Sequence, residues 1–200
     1  MRDLSRLAAL AFALAPAAAL AQVQTYYRAG AWDAFSGRNE QGGAVCGVGS
    51  TLPPDDRRLS VSFDIGGTDT TFSASKPDWS IPDNNRVTVV MQIGLSTPWT
   101  EQGIGHEHAI DWTLDPGAMQ TFDQQFRGAS SMTLTFPDGN EPSWTLSLAG
   151  STAISDTFGR CVRDLTRQVQ AAQPPPPTGA APPPGPTQPF SPATPAPPPQ

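Results

Sequence analysis

The chain has 200 residues, a formal charge of −6, 23 prolines and two cysteines, and Lys76 is its single lysine. An acidic balance of this kind excludes the basic footprint of a nucleic-acid-binding protein, and no basic amphipathic helix is present to hold the chain on an anionic membrane surface. The length suits one domain of ordinary size with flanking segments.

The first six residues, Met-Arg-Asp-Leu-Ser-Arg, are followed by an almost wholly apolar run from Leu7 to Ala15. This is a basic n-region and an h-region too short to span a bilayer. Ala19-Leu20-Ala21-Gln22 then supplies the small residues that suit cleavage after Ala21, so residues 1–21 read as a signal peptide. The residue directly after the cleavage point is Gln22 and not a cysteine, which argues against a lipid anchor. Losing Arg2, Asp3 and Arg6 moves the formal charge from −6 to −7. The mature chain is expected to be periplasmic or secreted, without stable membrane insertion.

Alternation dominates the next 150 or so residues. Ala44, Cys46 and Val48 share one parity, as do Leu59, Val61, Phe63 and Ile65, and the pattern returns at Val87, Val89, Met91 and Ile93. It recurs at Met132, Leu134 and Phe136 and at Trp144, Leu146 and Leu148, and period two over so many runs predicts half-buried strands. Ile65-Gly66-Gly67-Thr68-Asp69, Pro82-Asp83-Asn84-Asn85 and Pro137-Asp138-Gly139-Asn140 punctuate them with turn chemistry, so the sheet should be antiparallel. Two helices are expected. Asp115-Pro116 is a cap followed by a first-turn proline, with Met119, Phe122 and Phe126 at helical spacing up to Gly128. The second begins near Ser151, puts Ile154, Phe158, Cys161 and Leu165 on one stripe, and allows Asp156 to pair with Arg160. The expected fold is mainly β: an antiparallel β-sandwich or open barrel over residues 22–170, with a short helix and a C-terminal helix packed on it.

Residues 171–200 contain no charge and are rich in proline, with runs at Pro174–Pro177 and Pro182–Pro184. Such a composition cannot bury enough apolar surface to fold, so this stretch reads as a disordered proline-rich tail that gives reach. Proline-rich segments are also ligands for aromatic-lined grooves.

Trp32-x-x-Phe35, Cys46, the turn Ser80-Ile81-Pro82-Asp83 leading into Val87–Ile93, and the helix start Leu148-Ala149-Gly150-Ser151 follow one another in an order that resembles the invasion-associated locus B family of bacterial envelope proteins and its uncharacterised relatives. The likeness spans roughly residues 28–165. It implies a small exported β-rich domain without a known catalytic centre, and it carries no site residues across.

Cys46 and Cys161 lie on inward-facing positions of a strand and a helix, and export supplies an oxidising compartment, so a disulfide is expected. Both histidines fall in Gly105-His106-Glu107-His108. On a strand, His106 and His108 would face the same side about 7 Å apart and could grip zinc or copper if a third ligand converged on them. Trp79 and Trp99 stand beside Pro77 and Pro98 in loop-like sequence, where an exposed aromatic can bind a partner or else cap the end of the sheet. No Gly-x-Ser-x-Gly elbow is present, and Asp55-Asp56 is followed at once by Arg57-Arg58, which reads as a solvated turn. No constellation compels an enzyme. The leading reading is a non-enzymatic module that binds an envelope or extracellular protein or a glycan. The alternatives are a metal-binding protein or metal-dependent enzyme on His106 and His108, and an inhibitor of a secreted enzyme.

Overall fold

The alternating runs become strands of one antiparallel sheet. A computed structural model describes residues 22–172 of the chain. In order these are β1 (Gln22–Ala29), β2 (Trp32–Arg38), β3 (Ala44–Leu52), β4 (Arg57–Asp64), β5 (Thr70–Ser75), β6 (Arg86–Ile93), β7 (Trp99–His106), β8 (Ala109–Leu114), α1 (Pro116–Gly128), β9 (Ser131–Thr135), β10 (Trp144–Ser147) and α2 (Ser151–Ala172). The strand order is β1-β2-β3-β4-β5-β8-β7-β6-β9-β10. Every pairing is antiparallel.

Register carries the core across the sheet. Ala34, Val48, Val61, Phe72 and Trp112 are successive cross-strand partners from β2 to β8. Met91, Leu134 and Trp144 continue the inner face through β6, β9 and β10. All of them are buried in one cluster, so both ends of the sheet face the same interior. The single ten-stranded sheet therefore curls around one interior, as an open barrel does. Its seam is made where Ala31 N–H donates to the Ala149 carbonyl at 3.4 Å and Trp32 Nε1 donates to the Ser147 carbonyl at 2.9 Å. Gly30, in the β1–β2 turn, and Gly150, in the β10–α2 turn, face each other's backbone across this seam with φ of +59° and +90°. A Cβ on either would strike the opposite backbone, so the seam requires glycine twice.

Both helices pack at one end of the barrel. Asp115 caps α1 by accepting from Gly117 and Ala118 N–H, and Pro116 opens its first turn. Its Phe122 and Phe126 enter the core edge-on to Phe72 and Trp32, at centroid distances of 4.9 and 4.8 Å. Helix α2 crosses β1, β2 and β3 and is bonded to β3 through Cys46–Cys161, with Cα atoms 6.0 Å apart. Its apolar stripe is less deep than the sequence suggests: Ile154 is fully buried, whereas Phe158, Cys161 and Leu165 are half-buried, because the helix runs outward past the barrel. Asp156 does not pair with Arg160. Arg127 of α1 takes it at 2.7 Å, and Arg160 donates to Thr157 Oγ1 instead.

Among the described residues no helix is long and apolar enough to cross a membrane. The proposed signal peptide and the tail from residue 173 onward lie outside the described residues. Helix α2 itself runs to Ala172, two residues past the expected end of the domain.

Candidate functional site

The end of the barrel opposite the helices is built from turns. The β5–β6 connection crosses it and is tied to the tip of the β7–β8 hairpin: Ile81 N–H donates to the Glu107 carbonyl at 2.8 Å, and Gly105 N–H to the Asn85 carbonyl at 2.7 Å. His106 pairs with Ala109, leaving Glu107 and His108 as a two-residue turn with Glu107 at φ +44°. His106 thus ends a strand while His108 lies in the turn, so the two do not share a strand face, contrary to the geometry expected from alternation. His106 lies 3.8 Å from Asp111. His108 Nδ1 donates to the Trp79 carbonyl at 2.6 Å, and its Nε2 faces Glu107 at 3.5 Å. Among the described residues no group of three or more His, Cys, Asp or Glu side chains is placed to hold a metal ion. The third ligand that zinc or copper would need does not converge on His106 and His108.

Trp79 and Trp99 belong to different elements with different partners. Trp99 opens β7 at the helix end, where its Nε1 donates to Gln125 of α1 at 2.8 Å; the loop expected around it is a strand. Trp79 belongs to the turn end. Its ring lies nearly parallel to Trp144 (centroids 5.3 Å apart, 21° between planes) and edge-on to Phe136 at 5.4 Å. Both tryptophans are half-buried against the core, so each caps its own end of the barrel.

Glu141 fixes this aromatic group. Its Oε1 accepts from Trp144 Nε1 at 2.9 Å, and its Oε2 accepts from Trp79 Nε1 and Lys76 Nζ, each at 3.2 Å. Burial alone would push the Glu141 carboxyl up, but the hydrogen bonds from the two indoles and Lys76, together with the lysine charge, outweigh it and hold the group below the usual glutamate range. Lys76 also meets Asp55 at 3.7 Å, Asp55 meets Arg57 at 3.4 Å, and the Arg57 guanidinium lies over Trp144 at 5.8 Å. Asp55 is thereby neutralised by two cations, an arrangement unlike a pair of acid–base carboxylates.

Beside this group opens a cleft of about 380 Å³. Trp79, Ile81, Val87, Ile110 and Phe136 form its apolar wall, and the exposed Asn85, Arg86, Asp138 and Asn140 stand along its rim. Asp138 is itself held: Thr88 N–H donates to its Oδ2 at 2.6 Å, and that bond lowers its pKa. The sequence signals for this site were the turns and Trp79. Glu141 carried none, because Trp79 and Lys76, which complete the network, are 62 and 65 residues away along the chain.

Fold and site together define a disulfide-bonded open β-barrel with two helices at one end and an aromatic-walled cleft at the other. Comparison of the chain with protein-family models, curated proteins and solved structures gives no match.

Proposed function

We propose that this protein is an exported, non-enzymatic binding module that takes an envelope or extracellular partner at the Trp79 cleft. The observation that carries the reading is the fixed indole of Trp79: Trp144 backs one face, Glu141 holds the ring N–H, and His108 holds the main chain. A side chain immobilised in this way loses little entropy on binding, and a cleft of this size lies within the usual range for ligand sites. Turns carried on a rigid barrel are also where recognition residues concentrate. The signal-peptide pattern, the Cys46–Cys161 bond and the resemblance to the invasion-associated locus B family support an envelope location. Immobilised wild-type protein and its Trp79→Ala variant, incubated with envelope extract, provide the test. The wild type should retain a protein or glycan component that the variant loses. Equal retention by folded samples of both would contradict the reading.

A further inference from the structure

We infer that the cleft is a site for uncharged saccharides, specifically for a flat, β-linked pyranose chain; this rests on the binding role proposed above and names its ligand class. Three features of the cleft converge on that chemistry. Its wall presents a planar aromatic surface. Trp79, backed by Trp144 and flanked by the perpendicular ring of Phe136, lines the cleft as a half-buried indole, so a ring entering the cleft meets it. A pyranose whose hydroxyls are all equatorial offers a flat face of C–H groups to such a surface, and β-linkage keeps successive rings extended along it.

The rim supplies hydroxyl partners. Asn85 and Asn140 are exposed amides, each with donors and an acceptor on one plane, and Asp138 is an acceptor whose orientation is set by Thr88 N–H. Side chains of this kind recognise neighbouring hydroxyls, which donate and accept at once.

The charge is balanced. Arg86 and Asp138 contribute one cation and one anion to the rim. Among the described residues the remaining charged group on the lining, Glu141, is already engaged by Trp79, Trp144 and Lys76. No surplus of either sign is left to favour a phosphate, a polyuronate or a basic peptide, and a ligand bearing net charge would lose hydration without a fixed counter-charge to replace it.

Titration of the full mature chain with chitotetraose, followed by the indole N–H resonances, tests the inference. The Trp79 signal should shift saturably while that of Trp99, which does not line the cleft, stays in place. Affinity should fall at least tenfold in Trp79→Ala and again in the double variant Asn85→Ala with Asn140→Ala, whose exposed positions leave the core intact, so the result does not depend on Trp79→Ala folding. Trp99→Phe should bind as the wild type does. Maltotetraose, whose α-linkages bend the chain, and an oligogalacturonate of equal length should bind at least tenfold more weakly. Failure of chitotetraose to bind, or preference for the charged oligosaccharide, would overturn the ligand class. Partner retention that still depends on Trp79 would then leave the cleft's binding role standing, whereas its loss would remove both.

Discussion

The two ends of the barrel are closed by different physics. At the helix end, Phe122 and Phe126 of α1 fill the interior and α2 is fastened to β3 by a covalent bond. At the turn end the closing elements are Trp79, Trp144 and Phe136, held by one carboxylate and an ion cluster, and a cleft stays open beside them. The helix end is sealed by apolar burial and chain connectivity, which need no particular geometry at the surface. The turn end fixes the direction of a half-buried indole ring that lines a cleft. The difference places the covalent fastening at one end and, on the proposed function, recognition at the other.

Cutting the covalent link should have the largest effect. The bond joins residues 115 apart, and loss of a native disulfide typically costs about 2–5 kcal/mol. Cys46→Ala combined with Cys161→Ala should lower stability by an amount in that range in denaturant unfolding, and the native protein should show no titratable thiol before reduction. An unchanged unfolding midpoint would mean that the helix end is held by packing alone.

A smaller loss is expected at the other end. Glu141→Leu removes the acceptor for Trp144 Nε1, on a side chain with no exposure, and for Trp79 Nε1. An orphaned buried donor costs about 1–3 kcal/mol. The effect should depend on pH. Because folding depresses the Glu141 pKa, its ionised form stabilises the fold above the usual glutamate range, and that contribution is lost as pH falls through the folded value. Wild type and Glu141→Leu should therefore differ most near neutrality and converge in acid. A pH-independent gap would show that the carboxylate acts through shape and not charge.

Much of the barrel was legible in the sequence because burial on one face writes period two into β4, β6, β9 and β10, and the Pro137–Asn140 turn and the Asp115 cap are local chemistry. The disulfide followed from two inward positions and a compartment. Strand β1 was not legible: it is an edge strand whose residues are mostly exposed, so no alternation marks it, and a bulge between Thr25 and Tyr27 shifts its register. In β7, Gly103 and Gly105 stand where apolar side chains would have signalled a strand, because Ile110 and Ile81 already occupy the space that a Cβ would need. His106 and His108 misled for a related reason. Spacing of two means a shared face only while the strand continues, and here it turns at Glu107. The Glu141 network was invisible because its indole and ammonium donors are gathered from β10 and the β5–β6 connection by tertiary folding alone.

The claim that recognition belongs to the turn end is tested most directly by oxidative footprinting of the intact protein with and without an envelope fraction that it retains. Protection is predicted at Trp79 and along the turns carrying Asn85, Arg86, Asp138 and Asn140, with Trp99 and the exposed Tyr26 and Tyr27 of β1 oxidised equally in both samples. Protection confined to β1, α2 or Trp99, with Trp79 unaffected, would contradict it.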